Sequence, residues 1–291
     1  MDNIELNALG KINLGLDVLG KRPDGYHEVR MIMQTVYIYD QIRLEKKETP
    51  GTELSSNLFY LPTDKNNLAC RAADLLLEEF GIREGVKITL AKHIPVAAGM
   101  AGGSSDAAAV LYGLNRMFGL GLSTEELMKR GVSLGADVPY CILRGTALAE
   151  GIGEKLTPLP AMPRCQIVVA KPPVSVSTRR VYDKLDETPV AVHPDIDGIV
   201  SGLEAGDLRK IASCMGNVLE QVTVPEYPVI EKIKASMKEA GALNAMMSGS
   251  GPTVFGIFTE KSRAKKAAQK IREAGLAKQV YVTNVHNARR K

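Results

Sequence analysis

Pro95-Val96-Ala97-Ala98-Gly99-Met100-Ala101-Gly102-Gly103-Ser104-Ser105-Asp106 is the stretch that decides the fold, and it runs straight into Ala107-Ala108-Ala109-Val110-Leu111. Its three glycines and three alanines leave the backbone bare, so N–H groups can approach a ligand and positive φ is open where the loop curls. Ser104 or Ser105 is expected to cap the helix that follows. The first N–H groups of that helix lack intrahelical partners and carry the positive end of its dipole, which makes an anion site. We read the stretch as a phosphate-binding loop; the bland alternative is a glycine-rich helix start used for close packing.

Spacing excludes two familiar phosphate loops. A Walker A loop needs G-x-x-x-x-G-K-[ST], and no lysine lies between Lys92 and Lys129. The dinucleotide pattern G-x-G-x-x-G cannot be fitted to Gly99, Gly102 and Gly103. Val86, Ile88 and Leu90 alternate as a strand feeding the loop, and the helix after it runs to about Phe118 before Gly119, so the order is strand, loop, helix.

Upstream, residues 3–46 read as strands, with Ile12, Leu14, Leu16 and Val18 in alternation. Arg22-Pro23-Asp24-Gly25 has the residues of a tight turn and delivers Tyr26 and His27 to a rim. Residues 66–80 carry apolar side chains at helical spacing, with Asn66 or Asn67 as cap and Gly81 as stop. Ser123-Thr124-Glu125-Glu126 is a capping box for a helix ending near Leu134-Gly135, and the turn after it holds Asp137. The proline-rich run from Thr157 to Pro163 is expected to stay out of sheet and helix and to divide the chain into domains 1–158 and 159–291. Beyond it, strands at 166–170, 243–247, 253–258 and 280–282 and helices at 178–185, 230–240 and 262–274 predict an α+β layer.

With 45% hydrophobic and 24% charged residues among 291, the composition is that of a water-soluble globular protein. Cys70, Cys141, Cys165 and Cys214 form no C-x-x-C pair, so neither a zinc site nor a disulfide framework is expected. No run reaches membrane-spanning length, and the first residues, with Asp2 and Glu5, lack a leader pattern. A cytoplasmic protein is expected. A net charge of +4 suits anionic metabolites as well as RNA, and the Lys261–Lys270 stretch and the Arg289-Arg290-Lys291 tail read as a solvated face and a chain end.

Three segments matter together: Gly10-Lys11-Ile12-Asn13-Leu14, the loop 95–106, and Ser248-Gly249-Ser250-Gly251-Pro252. In that order they resemble the GHMP kinase superfamily, which has a lysine-bearing first strand, a P-x-x-x-G-[LM]-[AG]-[GS]-[GS]-[AS] loop and a C-terminal glycine loop. The likeness spans nearly the whole chain. It implies an α/β fold of the α+β kind in two domains, the first like ribosomal protein S5 and the second ferredoxin-like. Lys11-Ile12-Asn13-Leu14, Arg22-Pro23-Asp24-Gly25-Tyr26-His27-Glu28 and Leu134-Gly135-Ala136-Asp137-Val138-Pro139 are similar to one branch of it. That branch uses ATP to phosphorylate the 2-hydroxyl of a cytidine diphosphate sugar alcohol in the non-mevalonate route to isoprenoids. Departures exist: many relatives carry glycine at Ala97, Ala98 and Ala101, alanine or proline-alanine stands in place of Leu9-Gly10, and Lys171–Thr178 lacks a glycine before its valine.

Residue by residue, the resemblance implies that Asp137 takes the proton of the attacking hydroxyl and that Lys11 is the cation beside it. An alcohol is a poor nucleophile, and a carboxylate within reach can remove its proton during attack. ATP is expected on residues Pro95 to Ser105. Asn13, Tyr26, His27, Tyr182, Gly249 and Gly251 are expected on the acceptor, with Tyr26, His27 and Tyr182 framing the cytosine. Mg²⁺ is an expected cofactor that Ser104 or Ser105 could touch, Asp106 being a further candidate, while the metal ligands stay open. The expected partner is this small molecule, without nucleic acid or membrane, for a monomer or weak homodimer.

Overall fold

The computed structural model describes residues 1–190 and 192–288; the Arg289-Arg290-Lys291 tail lies outside them. In chain order come β1 Asn3–Lys21, β2 His27–Lys47, β3 Thr52–Ser56, α1 Leu68–Glu79, β4 Gly85–Ala91, α2 Gly102–Phe118, α3 Thr124–Val132 and α4 Val138–Leu143. Then follow β5 Thr146–Glu150, β6 Lys155–Pro158, β7 Gln166–Lys171, α5 Thr178–Asp186, α6 Ile196–Ala205, α7 Leu208–Cys214 and β8 Gly216–Asn217. The chain ends with α8 Glu220–Glu226, α9 Val229–Glu239, β9 Asn244–Met247, β10 Val254–Phe258, α10 Lys261–Glu273 and β11 Gln279–Asn284.

These elements group into two compact units built from interleaved stretches. The first takes Met1–Gly10, Ile38–Val96 and Ala101–Leu143; the second takes Lys11–Tyr37, Ala97–Met100 and the chain from Arg144 onward. The division expected at 158/159 therefore falls inside the second unit.

In the first unit the strand order is β3-β4-β2-β1, with Gln41–Lys47 antiparallel to Gly85–Ala91 and β3 parallel to β4. Apolar alternation drives this: Ile42, Leu44, Ile88 and Leu90 point one way and are buried, while Lys87 and Thr89 between them are exposed. Helix α2 lies close on the sheet because residue 113 is glycine; a Cβ there would stand 2.4 Å from Leu44 Cδ1 and 2.8 Å from Leu6 Cδ1. Helix α1 starts as its sequence predicts, with Asn67 Oδ1 accepting the Ala69 N–H at 3.0 Å. The α3 capping box is complete: Ser123 Oγ accepts from Glu126 N–H at 3.2 Å and Glu126 Oε2 from Ser123 N–H at 2.8 Å.

In the second unit Met31–Gln34 pairs antiparallel with Thr146–Ala149, β6 pairs with β5, and Gly15-Leu16 runs parallel to Gly216-Asn217. A separate antiparallel sheet has the order β11-β7-β10-β9, packed against α9 and α10 and centred on the fully buried Phe255, Ile257 and Phe258. Gly15 lets α6 approach β1, since a Cβ there would meet Ile196 and Ile199 at 2.7 Å. The expectation that Thr157-Pro158 avoids the sheets is corrected. Pro158 ends β6, which among the described residues pairs only with β5, and an edge strand needs no N–H from its last residue on the solvent side.

Candidate active site

Within the loop, Ala97 (φ 50°), Gly99 (φ 69°) and Ala101 (φ 55°) are left-handed. Interposing such residues among ordinary ones curls successive N–H groups toward one concavity, the geometry of an anion nest. The expected serine cap is not formed. Ala101 occupies the cap position, so α2 begins at Gly102, ahead of both serines, and Ser105 Oγ instead donates to the Leu9 carbonyl at 2.7 Å. What leads into the helix is thus a backbone turn, and the first-turn N–H groups of Gly102, Gly103 and Ser104 are those left without helical partners.

The second unit gathers the first strand, the loop tip and the C-terminal glycine segment. Lys11 N–H donates to Met100 carbonyl at 3.1 Å, and Lys11 Nζ, almost fully buried, donates to Asn13 Oδ1 at 2.8 Å. Ser248 Oγ donates to the Gly99 carbonyl at 3.0 Å. Gly99 must be glycine, because a Cβ would lie 2.1 Å from the Ser248 carbonyl oxygen on a backbone already at positive φ. A Cβ on Gly249 would stand 3.4 Å from Gly99 and 3.6 Å from Asn13 Oδ1, so Gly249 faces the loop tip and the first strand. Gly251 is pressed on Met247 Sδ, 2.5 Å from where its Cβ would be, which makes it a packing glycine of its own segment. Asn217 Nδ2, unnoticed in the sequence, holds that segment by donating to Met247 and Gly249 carbonyls at 2.9 and 2.8 Å.

In the first unit Asp137 immediately precedes α4, its carbonyl accepting the Cys141 N–H at 3.1 Å. A Cβ on Gly135 would lie 4.0 Å from Ser104 Oγ, so the Gly135-Ala136-Asp137 turn adjoins the first turn of α2. The turn that leads into the base candidate thus borders the phosphate-loop exit.

A third cluster, in the second unit, joins the Tyr26-His27 turn to α5. The His27 and Tyr182 rings stack at 4.8 Å between centroids with a 38° tilt. His27 Nε2 meets Asp186 Oδ1 at 2.6 Å, and Lys21 Nζ donates to Asp186 Oδ2 at 2.6 Å. The hydrogen bond from Lys21, followed by that from His27, holds the Asp186 carboxyl below the usual range. Tyr26, 59% exposed, offers an open ring beside them. Asp186 and Lys21 gave no sequence signal of this, since each reads alone as a surface charge.

Known proteins carry the same architecture. The profile for the GHMP kinases N terminal domain matches residues 67–145, and that for the GHMP kinases C terminal matches residues 199–277. The 4-diphosphocytidyl-2-C-methyl-D-erythritol kinase of Lachnospira eligens is 56% identical over 283 residues, covering 97% of this chain and 98% of that protein. The chain belongs to the GHMP kinases. A crystal structure of a 4-(cytidine 5'-diphospho)-2C-methyl-D-erythritol kinase matches this GHMP kinase with a TM-score of 0.83 at 32% identity, over 98% of this chain and 100% of the other. A homoserine kinase from Cytophaga hutchinsonii shares the fold at 23% identity, with a TM-score of 0.80 over 98% and 95% of the two chains. The fold is therefore the mixed α/β, two-domain one of this family.

This GHMP kinase also holds a group that the sequence reading passed over. Lys92, just after β4, donates from Nζ to Asp106 Oδ2 at 2.7 Å and to Asp40, and all three side chains are buried. Burial, opposed by Lys92 and reinforced by Asp40, pushes the Asp106 carboxyl up to about 8. Burial pulls the Lys92 ammonium down, yet the two carboxylates outweigh it and leave Lys92 above its ordinary value. The available signal was a charge pair bracketing the loop, with Asp106 leading an otherwise apolar Ala-Ala-Ala-Val-Leu run.

Proposed function

We propose that the chain transfers the γ-phosphoryl group of ATP to the 2-hydroxyl of 4-diphosphocytidyl-2-C-methyl-D-erythritol. The observation that carries the phosphotransfer reading is the meeting of Gly99 with Ser248 and Gly249 beside Lys11 and Asn13, which unites the three segments of the motif. The acceptor follows from relatives of that name aligned along nearly the whole chain, and from the aromatic cluster of Tyr26, His27 and Tyr182.

Triphosphate rests on the N–H groups of the loop 95–105, which are fixed dipoles needing no reorganisation as charge develops. Asp137 accepts the proton of the acceptor hydroxyl while its oxygen bonds to the γ-phosphorus, and the bond from that phosphorus to the β–γ bridging oxygen breaks to release ADP. Lys11, fixed by Asn13, supplies positive charge to the transferred phosphoryl. Tyr26, His27 and Tyr182 hold the cytosine, and Asp186 holds the His27 ring in place.

The residues fit a Mg²⁺ that is held chiefly by the phosphates, as this ion prefers. Ser104, half-buried in the first turn of α2, is the side chain placed to touch it, whereas Ser105 is committed to Leu9 and Asp106 to Lys92. When bound, the ion neutralises charge on the β- and γ-phosphates. The deciding experiment is a phosphoryl-transfer assay over the cytidylyl acceptor, homoserine and mevalonate. Turnover of the cytidylyl acceptor alone is expected; faster transfer to either of the others would replace it.

A further inference from the structure

The Lys92–Asp40–Asp106 cluster has no part in the chemistry above, yet it grips both ends of the nucleotide loop within the first unit. At the entry, Asn57 fixes the Lys92 backbone from both sides, accepting its N–H at 2.8 Å and donating to its carbonyl at 3.2 Å. Asp40 accepts the next two N–H groups, from His93 at 2.5 Å and Ile94 at 2.8 Å. At the exit, Asp106 sits early in α2 and takes the Lys92 ammonium. The ammonium also lies against the first helical residue: a Cβ on Gly102 would stand 3.2 Å from Lys92 Nζ. Asp106 Oδ1 is buried without a partner among the described residues.

A buried ion pair is a weak source of stability, since well-packed apolar residues often do as well; what it supplies is a fixed geometry. We propose that Lys92 and Asp106 are positioning residues for the nucleotide, their hydrogen bond fixing the direction in which the Gly102, Gly103 and Ser104 N–H groups face the phosphates. The inference rests on residues 95–105 being the nucleotide site.

The test measures ATP affinity by calorimetry, with KM and kcat, for Lys92→Met, Asp106→Ala, Asp106→Asn and Gly103→Asp. Loss of a charge-assisted hydrogen bond predicts that Lys92→Met weakens ATP by about tenfold with the acceptor KM unchanged. Asp106→Ala should weaken ATP to a similar degree, while Asp106→Asn, which still offers Lys92 an oxygen, keeps the affinity within a few-fold of wild type. Gly103→Asp places an acid where it favours a helix start but opposes phosphate, so it reports on the loop itself. Gly103→Asp with undiminished ATP affinity would overturn the nucleotide-site reading. Weakened binding in Gly103→Asp, together with wild-type ATP affinity in folded Asp106→Ala, would overturn the positioning role alone, including when Lys92→Met fails to fold.

Discussion

Ser248 and Gly99, 149 residues apart, share a hydrogen bond of 3.0 Å from the serine hydroxyl to the glycine carbonyl. The contact sets the loop tip against the C-terminal glycine segment, and it is so close that Gly99 has no room for a side chain. Gly99→Ala forces a Cβ onto the Ser248 carbonyl and a left-handed alanine, the latter costing about 1–2 kcal/mol. A fall of at least about tenfold in kcat/KM for ATP is expected. Gly103→Ala is the folding control, since its Cβ would meet Leu68 at 3.7 Å, an ordinary contact, and should leave the urea midpoint near wild type.

Asp137→Asn preserves the turn before α4 but cannot accept a proton as a carboxylate does. It is expected to bind ATP and acceptor normally while kcat drops by about 10²–10⁴. Lys11→Met should behave alike, and the double variant should lose little more than either single one, because groups that act as a unit are non-additive. Single-turnover measurements decide it: a kcat within a few-fold of wild type for folded Asp137→Asn would leave loop positioning as the source of rate.

Tyr182→Ala removes the ring stacked on His27. Aromatic stacking on a base is worth roughly 1–3 kcal/mol, so the acceptor KM should rise about tenfold or more while the ATP KM stays put. Equal turnover of cytidylyl and uridylyl acceptors would count against base recognition by this cluster.

Stability should depend on pH through Asp106. Its native value of about 8 stands above the ordinary 3.8, so between them the native state holds a proton that the unfolded chain has released. The contribution is therefore complete below the lower value and declines as pH rises toward the higher. Urea midpoints should fall over that window in the wild type and be flatter in Asp106→Asn.

Much of this was legible in the sequence because the relevant signals are local. The loop declared itself by small residues between a strand and a helix, and the caps at Asn67 and Ser123 lie within three residues of the N–H groups they satisfy. The start of α2 was misplaced because a left-handed alanine substitutes for a side-chain cap, and nothing in the residue type announces that. The chain from α6 to α8 was missed for a different reason: its helices are short, and β8 is only two residues long, held by its partner β1. Lys92, Asp40 and Asp106 come together through tertiary structure, Asp40 and Lys92 being 52 positions apart, and no local pattern encodes that. Tyr182 was placed by position alone, and it is the packing against His27 that gives it a partner.

Ala97 and Ala101 occupy a backbone region that glycine visits freely and alanine does not. A left-handed alanine costs about 1–2 kcal/mol that a glycine would not, so the rest of the fold holds these two residues in a shape they would not choose alone. The loop is thus a small store of backbone strain. Replacing either alanine by glycine removes that strain, and a higher urea midpoint is expected wherever this gain exceeds the extra freedom glycine gives the unfolded chain.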